Sequence, residues 1–102
     1  LALIEDGLPV IVIAPKDRYF EKTFSNTQEV IARGGKVFLI TDKHDMIINE
    51  NIRFTSSVPF IEDSLSPFIL TVPLQLLAYH VAVLKNCDID KPRNLAKSVT
   101  VE

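Results

Sequence analysis

The 102-residue sequence contains no tryptophan, one cysteine and only three glycines. A single cysteine, Cys87, cannot form an internal disulfide, which is typical of a reducing compartment, so we expect a cytoplasmic protein. The one adjacent glycine pair, Gly34 and Gly35, follows a predicted helix instead of opening one, which is the wrong order for a phosphate-binding loop. These shortages exclude a disulfide-stabilised domain and argue against a nucleotide-binding fold.

An excess of charge of one sign is also missing. Eleven basic and thirteen acidic residues give a net charge of −2, and the basic residues are scattered. We therefore expect no nucleic-acid partner and no membrane attachment. No signal-peptide pattern follows Leu1. The longest apolar stretch, residues 68–84, is interrupted by polar residues and a proline, so we expect it to fall short of a membrane span.

Two short apolar runs with many β-branched residues flank an amphipathic segment. Residues 9–15 predict a strand buried on both faces, as in parallel sheets. Residues 17–33 repeat apolar side chains at a spacing of three and four, which predicts a helix, and Gly34 with Gly35 supplies its left-handed stop. Lys36–Thr41 predicts the next strand. This strand–helix–strand order indicates a parallel βαβ unit.

The next segments add a polar loop at residues 42–51 and a weaker strand at residues 52–56. Three strands and two long helices cannot cover one another completely, since a parallel sheet needs helices on both faces. We therefore expect exposed apolar surface unless a larger protein or another copy covers it. Leu1 opens an apolar stretch with no capping residue before it, which suggests that the chain is part of a longer protein.

The last predicted helix is apolar on almost every side. Ser66 is expected to cap its N-terminus, with Pro67 at the first helical position. Residues 68–85 then form a helix that must be buried in a large core or against a partner, and Pro73 should kink or split it. Residues 88–102 are polar and form a tail that needs a docking site to become ordered.

Side chains that could carry chemistry do not form a recognisable constellation. His80 lies in the apolar helix and is expected to be a hydrogen-bonded core or interface residue, whereas His44 is expected at the surface. Cys87 has no base beside it and is interpreted as a small residue near a helix end. Glu62 and Asp63 are adjacent, point apart and should precede the helix N-terminus. We expect no metal site.

Residues 90–102, DKPRNLAKSVTVE, closely resemble the C-terminal ending of the glucosamine-6-phosphate synthases, the isomerizing glutamine–fructose-6-phosphate transaminases. The segment TVPLQLLAYHVA at 71–82 resembles the final long helix of that family. LPVIVIAP at 8–15 and ARGG at 32–35 match in order and spacing. The resemblance covers the whole chain, and NLAKSVT at 94–100 is its most specific part.

The resemblance implies an α/β fold, with a parallel sheet flanked by helices, as part of a SIS (sugar isomerase) domain. Residues 1–87 would be the C-terminal portion of the second such domain, and residues 88–102 an extended tail that carries the catalytic lysine. The family's ring-opening histidine, proton-shuttling glutamate and sugar-phosphate loops have no counterpart in this chain. We therefore expect the isolated chain to be inactive.

The resemblance also implies a role for each matching tail residue. Lys97 would form a Schiff base with open-chain fructose 6-phosphate, and Ala96 would line the sugar through its backbone. Arg93 and Asn94 would anchor the tail as a lid. The partners implied are fructose 6-phosphate, glucosamine 6-phosphate and further subunits in a homodimer or higher oligomer, without a cofactor. The alternative is a catalytically inert module that self-associates through residues 68–84.

Overall fold

The computed structural model describes residues 1–43 and 51–91. Those residues form an α/β fold with five elements in chain order, which are β1 (Pro9–Ile13), α1 (Phe20–Ala32), β2 (Lys36–Thr41), β3 (Ile52–Ser57) and α2 (Ser66–Leu84). Most of the loop predicted at residues 42–51 falls outside the described residues. The chain divides into two compact units, Leu1–Leu70 and Thr71–Glu102. The predicted boundary between residues 87 and 88 stays a prediction.

The three strands form one parallel sheet in the order β1–β2–β3. β1 pairs with β2 from Pro9 beside Lys36 to Ile13 beside Ile40. Between β2 and β3 the register shifts, and Arg53 is the extra residue that makes a bulge. The predicted parallel βαβ unit and third strand are therefore confirmed, and β3 extends one residue beyond its predicted end.

Helix α1 covers one face of the sheet. Its buried side chains are Phe20, Thr27 and Val30, and they share a core with Val37 and Leu39 of β2 and other apolar residues of the sheet. Thr27 is tolerated there because its hydroxyl donates a hydrogen bond to the carbonyl oxygen of residue 23 at 2.8 Å. This layer is the core of the first compact unit.

The opposite face of the sheet is open over much of its area. Pairing places Ile11 beside Phe38, and Phe38 beside Phe54. These side chains are exposed by 45%, 36% and 59%, and Ile13 on the same face is also exposed. The prediction that β1 is buried on both faces is therefore wrong, because its residues alternate between exposed and half-buried and α1, the helix of the first compact unit, covers one face of the sheet. The predicted exposed apolar surface is confirmed.

Gly34 and Gly35 end α1 as predicted. Gly34 adopts a φ of 86°, its N–H donates to Ile31 O at 2.9 Å, and the N–H of Gly35 donates to Val30 O at 3.0 Å. These reciprocal bonds define a Schellman motif. Gly34 also lies against the backbone of Asp6, so the turn fixes the segment that leads into β1.

Helix α2 departs from its prediction at Ser66 and at Pro73. Ser66 is the first helical residue, and its hydroxyl donates to the carbonyl oxygen of Asp63 at 2.9 Å, so its role as a cap was predicted wrongly. Pro73 lies inside one continuous helix, so the helix is not split there, and the alternative expectation of a kink at Pro73 stays a prediction. A proline removes a single N–H from the helical ladder, and the ladder continues on both sides.

The exposure of α2 is unusual for so apolar a helix. Leu70 is its one buried residue, and large apolar side chains such as Phe68, Leu76 and Leu84 are exposed. With 19 residues and a mean hydropathy of 1.7, α2 is long and apolar enough to cross a membrane by length and composition alone. By that criterion the stretch does not fall short of a span as expected, and the core helix of a soluble protein passes the same test.

A Gly34→Ala substitution should lower the free energy of unfolding of the chain by about 2 kcal/mol or more. A Cβ at this position would be held at a positive φ and would lie 2.5 Å from Asp6 Oδ1 and 2.9 Å from Asp6 Cα. The matched control is Gly7→Ala, since Gly7 has a φ of 83° but its Cβ would meet no atom closer than 3.9 Å. Urea unfolding measures both, and equal losses would contradict the close approach to Asp6.

Candidate functional site

The carboxyl ends of parallel strands are where α/β sheets usually bind ligands. In this chain they are joined by Thr41, which is buried. Its hydroxyl donates to the carbonyl oxygen of Ala14 at the end of β1 at 2.7 Å. Its carbonyl oxygen accepts from the N–H of Val58, just after β3, at 2.9 Å. One residue therefore ties the ends of all three strands together.

Asp42 is a buried carboxylate directly after β2. It is 5% exposed, and its Oδ1 accepts a hydrogen bond from the backbone N–H of Lys16 at 2.6 Å. The polar sequence after β2 predicted only a loop here, so the burial of Asp42 was not expected. The available signal was its position, because an acidic residue directly after a buried parallel strand lies at the carboxyl edge of the sheet.

Lys43 connects this edge to the first turn of α1. Its ammonium lies 4.3 Å from the centroid of the Phe20 ring and 4.0 Å from Glu21 Oε1. Its backbone N–H donates to the hydroxyl of Thr41 at 3.1 Å. The cation–π contact and the exposed ion pair are each weak, but both hold the segment after β2 against α1.

Side chains in the described part of this edge hold the ends of neighbouring strands together. The side-chain oxygens of Thr41 and Asp42 form hydrogen bonds with backbone groups of the segment that follows β1. Across residues 1–43 and 51–91, no buried side-chain oxygen or nitrogen lacks a partner, and no group of three His, Cys, Asp or Glu could hold a metal ion. This geometry therefore supports a structural role for Thr41 and Asp42, which fix the positions of the strand ends.

The residues around α2 agree with the sequence predictions in part. Glu62 and Asp63 precede the helix as predicted, and the carbonyl oxygen of Glu62 accepts from the N–H of Leu65 at 3.0 Å. Cys87 follows the helix end as predicted and is exposed. His80 is exposed and meets the Tyr79 ring edge-on at 5.3 Å. It therefore does not lie in the core of the described chain, because most of α2 is exposed, and the interface position that was the other expectation stays a prediction.

The predicted catalytic tail lies beyond the described residues. Lys97, Ala96, Arg93 and Asn94 all fall in the stretch 92–102, so their assigned roles stay predictions. His44 falls in the other stretch outside the described residues, and its predicted surface position is likewise untested.

Asp42→Ala should destabilise the chain by about 1–3 kcal/mol, because it leaves the N–H of Lys16 without its buried acceptor. Asp42→Asn keeps an acceptor oxygen and should cost less. Asp17→Ala is the matched control, since Asp17 accepts the N–H of Tyr19 at 2.8 Å in an exposed position where water can replace it. Denaturant unfolding separates the three variants. Equal losses of unfolding free energy for Asp42→Ala and Asp17→Ala would show that the buried carboxylate does not stabilise the strand ends.

Comparison with known proteins agrees with this geometry. Residues 1–85 match the SIS domain family. The whole chain is 53% identical over 103 residues to glutamine–fructose-6-phosphate aminotransferase [isomerizing] of Rhizobium meliloti, and to the same enzyme of Bartonella quintana at the same identity. The chain spans 17% of the length of these two relatives.

A solved structure shares the fold. It is the C-terminal domain of glucosamine-fructose-6-phosphate aminotransferase from Francisella tularensis, with a TM-score of 0.79 and 39% identity. The match covers 86% of this chain and 25% of that one. The three-stranded parallel sheet with its two helices is thus part of a larger α/β domain, and the chain belongs to the SIS domain family.

Proposed function

We propose that this chain is the C-terminal part of an enzyme that makes glucosamine 6-phosphate from fructose 6-phosphate and glutamine. The observation that carries the proposal is the extent of the match. The SIS domain match ends at residue 85, whereas the similarity to the aminotransferases continues over the whole chain. The tail is therefore shared with these enzymes outside the part that matches SIS domains generally.

The open surfaces of the chain support its place in a longer enzyme. Parallel sheets are covered on both faces in α/β proteins, and Ile11, Phe38 and Phe54 lie exposed on one face here. The relatives are about six times longer than the matched segment, since that segment is 17% of their length. We propose that the remainder of the enzyme supplies the second layer and buries α2, as in the interior of a larger cytoplasmic protein.

Lys97 is the proposed nucleophile. Its unprotonated ε-amine attacks the ketone carbon of open-chain fructose 6-phosphate, a C–N bond forms, and the carbonyl oxygen leaves as water. Ammonia from glutamine then displaces the lysine from the imine, and ketose–aldose isomerisation gives glucosamine 6-phosphate. Ala96 lines the sugar through its backbone, while Arg93 and Asn94 anchor the tail as a lid that excludes water.

A second candidate is an inert module that self-associates through residues 68–84. The exposed side chains of Phe68, Leu76 and Leu84 favour it, because contiguous apolar surface marks an interaction site. The enzyme proposal explains the same exposure differently, because the rest of a longer enzyme would bury these side chains. Under the enzyme proposal, the full-length protein forms a homodimer or higher oligomer.

In the full-length enzyme, Lys97→Arg should lower glucosamine 6-phosphate synthesis by at least about two orders of magnitude, the scale of a lost catalytic group. A guanidinium stays protonated and cannot form the imine. Glutamine hydrolysis should persist, because that reaction uses another part of the enzyme. Lys91→Arg is the control, since it makes the same exchange six residues earlier and should remain active. Full synthesis by Lys97→Arg would refute the Schiff-base role.

The isolated 102-residue chain should convert no fructose 6-phosphate with either glutamine or ammonia, because Lys97 lacks its acid/base partners there. Product formation followed by chromatography tests this, and robust turnover would contradict the proposal. Sedimentation of the same sample tests the second candidate. A monomer at micromolar concentration would exclude self-association through residues 68–84.

A further inference from the structure

We draw no further inference here: the strongest candidate, the open apolar face of the sheet that carries Ile11, Phe38 and Phe54, supports no proposal of its own because nothing in the described residues, 1–43 and 51–91, shows what covers it.

Discussion

A parallel sheet has two apolar faces, and the structure depends on the fact that this chain covers one of them. Helix α1 buries the face that carries Val37 and Leu39, and the bonds of Thr41 and Asp42 hold the strand ends in place. The other face exposes Phe38 and Phe54. An open apolar face of this kind is a surface for another layer of protein. The chain spans 17% of the length of its listed relatives, and we propose that the remainder of such an enzyme covers this face.

The fold could be predicted from local patterns wherever one element determines its own structure. Runs of β-branched residues mark β1 and β2, and Gly34 stops α1 in the left-handed conformation that glycine adopts most easily. The predictions fail where contacts with other segments, and not the local sequence, determine the structure. Pro73 costs α2 one hydrogen bond without breaking it. His80 is exposed because α2 buries only Leu70 in this structure.

The candidate site was less predictable than the fold. Lys97 was singled out by the sequence around it, because a lysine near a chain end is otherwise an ordinary solvated residue. Asp42 was missed since its burial depends on the meeting of two strand ends that are 26 residues apart in sequence. The resemblance in sequence therefore indicates the proposed chemistry, whereas the hydrogen bonds of Asp42 and Thr41 could be found only in the structure.

Thiol modification of a cysteine at position 38 tests most directly whether the open face is an internal surface of a larger enzyme. Phe38→Cys would be introduced with Cys87→Ser, which removes the exposed native thiol, in the isolated chain and in the full-length enzyme. The account predicts rapid modification in the isolated chain and strong protection in the native full-length enzyme, at every protein concentration. Equal modification rates in the two proteins would contradict it.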